Sequence, residues 1–390
     1  MMNNKSLSAL VDQVRGVSYK PKDIHDTLND LSIALLRANN IFDGSIEFSD
    51  VIYVDRKRVS SSQILRRGDI LVCASSGSKD LVGKAASFNC DGEYTFGAFC
   101  KVVRPKNIDD ADYISVFFQS PKYRREIAAS ALGANINNIR NEHIDNLVIN
   151  WPVKLKRDII VSLLNQSKSI ITLRKKQLHL FDELIKARFV EMFGDPDINP
   201  LGWPKYTFEE ISDLITDGEH ATPKRFNQGI YLLSARNVLN HALSFDKIDY
   251  IDQVEYDRIS KRIIPQEGDV LISCSGTIGR TCTVPEGLKF QFVRSVALIR
   301  FKKTINPIFM EHQITMPFIQ KQIDSSKSQS SQANLFQGKI RKLLAVVPPK
   351  ELQEQFLSFV KQIDKSKVAV QKSLEQTQML FDSLMQQYFG

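Results

Sequence analysis

Two short loops hold the side chains best suited to chemistry in this chain. In the first, Lys20 and Lys22 flank Pro21; in the second, Lys224 and Arg225 follow Pro223, with His220 and Thr222 just ahead of it. A proline stiffens each turn, so these cations project from a fixed loop toward an anionic partner such as phosphate, or toward a guanine edge. Arg37, Asn39 and Asn40, and in the second half Arg236 and Asn237, are types able to make two-pronged hydrogen bonds to guanine or adenine. Ser76, Lys79 and Lys84, against Ser275, Thr277 and Arg280, follow apolar runs in glycine-containing loops, where hydroxyl and backbone donors can meet phosphate. Residue type does not separate base readers from phosphate clamps, and Asn40 and Asn237 serve equally well as turn-stabilising side chains.

Other chemistries lack their residues. An adenine methyltransferase needs an N-P-P-[YF] or D-P-P-[YF] loop and a glycine-rich cofactor turn, but Asn199-Pro200 is followed by Leu201, and Phe96-Gly97-Ala98-Phe99 lacks the second glycine. The ATP-binding pattern G-x-x-x-x-G-K-[ST] is missing too. The six histidines are scattered, and Asp195 and Asp197 lie in a proline-rich stretch with no following E-x-K, so they read as capping residues rather than a nuclease centre. Five cysteines, far apart, form neither a zinc knuckle nor a disulfide framework, and no metal site is expected. A net charge of +8 suits an anionic partner. No run approaches the roughly 18 apolar residues of a membrane helix, and the first residues lack an apolar signal core, so a cytoplasmic location without membrane contact is expected.

The elements that position these loops occur twice. Gly16, Pro21 and Lys22 match Gly218, Pro223 and Lys224; Ala38, Asn40 and Ile41 match Ala235, Asn237 and Val238; Gly68-Asp69-Ile70-Leu71 matches Gly268-Asp269-Val270-Leu271. Gly83-Lys84 pairs with Gly279-Arg280, Asn138-Ile139 with Asn334-Leu335, and Leu180-Phe181-Asp182 with Leu380-Phe381-Asp382. The spacings stay between 196 and 202 residues and the order is kept, which predicts an internal duplication. Asp69 to Ala74, Asp269 to Cys274 and Phe292 to Phe301 read as strands, while Tyr113 to Leu132 and Pro307 to Gln322 carry helical spacing. Each half is therefore a mixed α/β module of about 150 residues. The short stretch ahead of the first matched loop predicts that the first module lacks a strand which residues 205–216 supply in the second.

Composition changes after each module. Residues 153–192 and 350–389 contain neither proline nor glycine. Leu164, Ile171, Leu178 and Ile185 recur every seven residues in the first, with Leu163, Ile170 and Leu184 on the next row; Val360, Leu374 and Phe381, with Ile363, Val370 and Leu384 beside them, form the stripe in the second. Such stripes predict two long helices that pair with each other. The expected division is a first module over 1–152, a helix over 153–193, a second module over 194–348 opened by a Pro/Gly-rich junction at 194–204, and a second helix over 349–390.

These segments together resemble the specificity subunits of type I restriction-modification systems. Gly218-x-His220-x-Thr222-Pro223 is similar to a segment near the start of that family's target recognition domains, and Arg15 to Pro21 with Leu36 to Ile41 is similar to its equivalent in many first halves. Met192-Phe193-Gly194-Asp195-Pro196, then Asn199-Pro200 and Gly202-Trp203, resembles the family's linker after its first spacer helix. The resemblance covers residues 11–390, with one departure: the first half has Ser18 and Lys20 where the second has His220 and Thr222. It implies an α+β chain with a pseudo-twofold repeat, in which two recognition domains each read one half of a bipartite, asymmetric site in double-stranded DNA. It also implies two long antiparallel coiled-coil helices that space the domains and dock two methyltransferase subunits, followed by restriction-translocase subunits. The chain itself would then be non-catalytic and hold no cofactor, with S-adenosylmethionine and ATP bound by the partners. Two other readings keep the same architecture: a specificity chain of another restriction-methylation type, or a coiled-coil adaptor that does not bind DNA.

Overall fold

A buried aspartate sets the centre of each module. The structure, a computed structural model, describes residues 4–78, 81–130, 137–326 and 333–390. It divides into two units, Met1–Lys175 with Lys372–Gly390, and Lys176–Gln371. In the first unit the strand Asp69–Cys73 lies between Ala85–Phe88 and Cys100–Pro105, and Val11–Arg15 completes this antiparallel sheet. Asp69, almost fully buried, accepts from Arg104 Nε at 2.8 Å and Nη2 at 2.7 Å, and from the Arg66 N–H at 2.8 Å. Arg104 also donates to the carbonyls of Ser62 and Ile64. In the second unit the sheet runs Ser212–Asp217, Val296–Phe301, Val270–Ser273, Thr281–Thr283. Here Asp269 accepts from Arg300 Nε and Nη2, both at 2.7 Å, and from the Gln266 N–H at 2.8 Å. Gly68 and Gly268 precede these aspartates at φ +85° and +83°, a conformation that disfavours any side chain. The repeated Gly-Asp pair is thus a turn plus a buried anion.

A second sheet packs beside each of these. In the first unit its order is Tyr94–Phe96, Ser32–Leu36, Ile52–Asp55, Ile24–His25; in the second it is Asp249–Ile251, Ile230–Leu233, Phe290–Phe292. Tyr94–Phe96 runs parallel to Ser32–Leu36, as Phe290–Phe292 does to Ile230–Leu233.

Three expectations change. The first module has its leading strands: Asn4–Ser6 pairs with Val148–Asn150 and Val11–Arg15 with Cys100–Pro105, as Lys205–Thr207 pairs with Leu344–Val346 and Ser212–Asp217 with Val296–Phe301. Each helical stretch after the sheets is two helices, Ala111–Phe117 with Pro121–Ser130 and Pro307–Ile314 with Pro317–Ser326. Pro121 and Pro317 force the break, because a proline cannot continue a preceding helix without losing a hydrogen bond. The run from Phe292 to Phe301 is interrupted, with strands ending at Phe292 and starting at Val296.

The prolines at 152 and 349 and the glycines at 194 and 390 bracket two 40-residue helices, Lys154–Phe193 and Lys350–Phe389. Each contributes a part to each unit. In the first unit Ile160 and Leu164 share a core with Met385 and Phe389, and Phe381 and Leu384 pack on it; Phe389 also sits 5.2 Å from the Tyr113 ring. Arg174 donates to the Ser373 carbonyl and to Thr377 Oγ1. In the second unit Ile185, Phe189 and Phe193 join Phe356 and Val360, with Ile363 alongside, and Lys367 pairs with Asp182 at 2.6 Å. Leu164, Ile171, Ile185 and Val360 are buried, and Leu178, Ile363, Val370, Leu374, Phe381 and Leu384 are half-buried. The neighbouring row of the first helix, Leu163, Ile170 and Leu184, is exposed. At the junction Asp195 accepts from the Asp197 N–H, Asp197 pairs with Lys321, and the Asn199 carboxamide brackets the backbone of Trp203.

Two outcomes follow from buried charge. Asp69→Ala or Asp269→Ala leaves the half-buried guanidinium of Arg104 or Arg300 without its carboxylate and costs about 3 kcal/mol in urea unfolding, against little for an exposed control. In the second unit His312 is stacked on His241 at 4.1 Å, and burial, with His241 beside it, holds its imidazole well below the ordinary value of 6.5. The unfolded chain therefore takes up a proton below that pH which the folded chain refuses, so stability falls as pH drops through it. The urea midpoint is expected to be lower near pH 5.5 than near pH 7.5, and His312→Phe to flatten the difference.

Candidate nucleic-acid interface

One end of each strand pair carries the loops picked out by residue type. In the first unit Gly16 brings the loop against the strand exit at Gly97 so closely that a Cβ would lie 2.1 Å from the Gly97 carbonyl oxygen; in the second, a Cβ on Gly218 would lie 2.4 Å from that of Phe292. This close approach is the reason for glycine at both places. It is completed by the Val17 N–H donating to the Phe96 carbonyl at 2.8 Å and the Glu219 N–H to the Phe292 carbonyl at 2.9 Å.

Behind it sits a one-turn helix, Ala38–Asn40 in the first unit and Ala235–Asn237 in the second. Asn40, 1% exposed, accepts from the Arg37 N–H at 2.8 Å and donates to the carbonyls of Glu47 at 2.8 Å and Asp50 at 3.1 Å. Asn237, 0% exposed, accepts from the Ser234 N–H and donates to the Ser244 carbonyl, both at 3.0 Å. Both carboxamides are used up inside the protein. Asn40 and Asn237 therefore leave the set of candidate nucleic-acid contacts; they hold the loop that carries it.

Their neighbours face outward. Arg37 Nη2 and Asn39 Nδ2 converge on Asp50 Oδ2 at 2.9 and 2.5 Å, while Arg225 Nε and Arg236 Nη2 converge on Asp249 Oδ2 at 3.1 and 2.9 Å. Arg37 Nε is buried without a hydrogen-bond partner. Exposed ion pairs of this kind are worth about 1 kcal/mol or less, so each carboxylate orients its arginine and releases it cheaply to a stronger acceptor. In the first unit Arg37 and Asn39, with Ser18, Tyr19, Ser75 and Phe99, line an open groove of about 460 Å³. Phe99 is 72% exposed there, an apolar side chain held out by a strand turn.

Lys20 and Lys22 are exposed beside this groove, on a turn pinned by Asp23, which accepts from the Lys20 N–H at 2.8 Å and from Arg58 at 3.0 Å. These bonds hold the Asp23 carboxyl below its ordinary value. Ser76 is half-buried and accepts from the Ser78 N–H, and Lys79 lies outside the described residues. In the second unit His220 Nε2 is 2.7 Å from Asp217, which Arg262 also grips at 2.5 Å while donating to the Gly218 carbonyl. Thr222 and Lys224 are exposed, Lys224 lying 5.3 Å over the Phe226 ring. Thr277 is exposed and Ser275 and Arg280 half-buried, on a loop that Ser273 closes by donating to the Thr277 carbonyl at 2.7 Å and accepting from the Arg280 N–H at 2.9 Å. Lys84 stands apart from the groove, in a separate pocket against the first long helix.

Residue type missed Tyr19, Phe99, Arg58, Arg262 and the exposed Arg294, whose N–H donates to the Glu219 carbonyl. For Tyr19, Arg58, Phe99 and Arg294, an aromatic or cation two to four residues past a strand end was the available signal. Among the described residues no group of three or more His, Cys, Asp or Glu is placed to hold a metal ion, and no helix is long and apolar enough to cross a membrane.

Residues 200–377 match the family model of the type I restriction modification DNA specificity domain. The chain is 25% identical over 376 residues to the EcoKI specificity subunit of Escherichia coli (strain K12), covering 92% of this chain and 81% of that protein. The chain is thus similar to the specificity subunits of type I restriction-modification systems, with the family model covering a little under half of it. The StySPI specificity subunit of Salmonella potsdam is 34% identical over 180 residues, 46% of this chain and 39% of that one. The fold agrees: the crystal structure of an M. genitalium type I S subunit superposes with a TM-score of 0.58 at 14% identity, covering all of this chain and 96% of that one. In this chain Asn40→Ala and Asn237→Ala are expected to cost about 1–3 kcal/mol each, from the stranded partners. Hydrogen exchange at residues 37–47 or 234–244 would rise; unchanged protection would show that the bracket does not hold the loop.

Proposed function

We propose that this chain is the sequence-reading subunit of a type I restriction-modification enzyme and catalyses nothing itself. One observation carries the reading: in each unit a buried asparagine fixes a one-turn helix with an arginine at its rim, half-buried Arg37 in the first and exposed Arg236 in the second, held by a carboxylate beside a loop locked by a glycine contact. That is a rigid frame for interchangeable readers, and the readers differ. The first unit would read its half-site with Arg37, Asn39, Phe99 and Ser76, steadied by Lys20 and Lys22 on phosphate. The second would use His220, Thr222, Arg225, Arg236 and Arg294, with Lys224, Ser275, Thr277 and Arg280 on the backbone. Arginine suits guanine, asparagine suits adenine, and an apolar ring suits a thymine methyl.

In this reading the two modules, 1–152 and 194–348, are duplicated, and the helices over 153–193 and 349–390 form an antiparallel coiled coil that sets the distance between half-sites. The common order of sheets and the contacts of Arg174 with Thr377 and of Lys367 with Asp182 support it. The helices would dock two methyltransferase subunits, which bring S-adenosylmethionine, and the restriction-translocase subunits, which bring ATP, in the cytoplasm.

Genome-wide methylation sequencing in cells with and without the chain tests this. One bipartite motif is expected to vanish with it; no lost motif overturns the reading in favour of an adaptor that does not bind DNA. Arg37→Ala with Asn39→Ala should relax one half of the motif and Arg236→Ala the other, each by about 1–3 kcal/mol of discrimination. Removing two turns from both helices should change only the unread spacing.

A further inference from the structure

Residue type groups Lys84 with the reading loops, but its place in the fold points to a second role. It lines a pocket of about 320 Å³ in the first unit together with Arg124, Lys168 and Lys175. Against these four cations the lining holds one carboxylate residue, Asp43. The floor is apolar, formed by Ile41, Phe118, Ile171 and Phe381. Lys168 donates to the Asp43 carbonyl at 2.8 Å and to Gln119 Oε1 at 2.9 Å, so its own hydrogen bonds go to neutral oxygens. Burial holds its ammonium below the ordinary lysine value. Lys84 and Lys175 have no acidic partner within 4.0 Å among the described residues. Like charges gathered over an apolar wall repel one another and strengthen the field felt by an anion.

The fold does not require these cations. In the second unit Gln320, uncharged, donates to the Gly279 carbonyl at 3.1 Å, the anchoring job that Arg124 does on the Val82 carbonyl at 2.8 Å. Where Lys168 meets the hairpin tip at Asp43, the second unit sets Asp364 in the field of the hairpin tip at His241. A neutral or acidic side chain is therefore compatible with this architecture at both places, and the basic set in the first unit calls for a different explanation.

We propose that Lys84, Arg124, Lys168 and Lys175 form a phosphate-binding site, distinct from the base-reading groove. Four cationic side chains around a pocket of this size match a phosphoryl group with its two or more anionic oxygens. The group comes either from a DNA backbone phosphate or from a free phosphate or nucleotide, and two measurements on one variant separate the sources. Lys84→Gln with Lys175→Gln removes the two ammoniums that have no acidic partner among the described residues, so its unfolding temperature without ligand should equal that of the unaltered chain.

In the first measurement the full chain is titrated with inorganic pyrophosphate at constant ionic strength, with sodium chloride as the control. A free-phosphate site gives a saturable rise in unfolding temperature that the variant loses. In the second, the chain in complex with its methyltransferase partner is titrated with duplex DNA at several salt concentrations. A backbone-phosphate site lowers the slope of log K against log salt by about 0.9 for each phosphate that the variant no longer neutralises. Either change supports the site, and which of the two appears names the source. No pyrophosphate effect in the unaltered chain, together with an unchanged salt slope in the variant, overturns it. Sequence preference of the unaltered complex, measured in the same titrations, reports separately on the reading role.

Discussion

The most demanding constraint in this molecule is the burial of two carboxylates. A carboxylate removed from water must be fully hydrogen-bonded by a cation or it unfolds its surroundings. Asp69 and Asp269 meet that condition only if the strand carrying the aspartate lies in one register with the strand carrying the arginine, Arg104 or Arg300. Fixing that register fixes where the strands end. The loops at 16–19, 37–40 and 97–99, and at 218–222, 234–237 and 293–295, leave from those ends or pack directly on them. The surface proposed to read DNA is thus placed by an interaction that lies outside it.

The same two residue types do opposite work a short distance away. Buried, Asp with Arg is a rigid two-pronged clamp whose loss is costly. At the rim, Arg37 with Asp50 and Arg236 with Asp249 are solvent-exposed pairs of low worth, and that weakness is useful. In the proposed reading a base edge or phosphate would compete for the guanidinium without disturbing the frame, because the loop is held by Asn40 or Asn237 rather than by the ion pair. Burial, rather than residue identity, separates the structural pair from the pair proposed for recognition.

The long helices join this scheme through aromatic packing at their ends. Phe389 packs on Tyr113 in the first unit, and Phe189, Phe193 and Phe356 surround Phe309 in the second. Because each unit takes part of both helices into its own core, the helices are integral to the modules rather than tethers between them. One face of the first helix stays apolar and open at Leu163, Ile170 and Leu184, where a second heptad row was legible and its covering partner was not.

Local chemistry was readable from the chain alone. The absence of proline and glycine over 153–192 and 350–389 marked the helices, which run Lys154–Phe193 and Lys350–Phe389, because helix continuation is decided residue by residue. Gly-Asp marked a turn into a strand for the same reason. What depended on distant partners was not readable. The strand Asn4–Ser6 is three residues long and exists only because Val148–Asn150 lies beside it. Asn39 and Asn40 are adjacent and chemically identical, yet one faces solvent and the other is sealed under the loop. Lys84 follows the same strand as the reading loops but turns toward the helix. A polar side chain's role is set by which surface closes over it, and that is a property of packing across the chain, available only once the tertiary structure is formed.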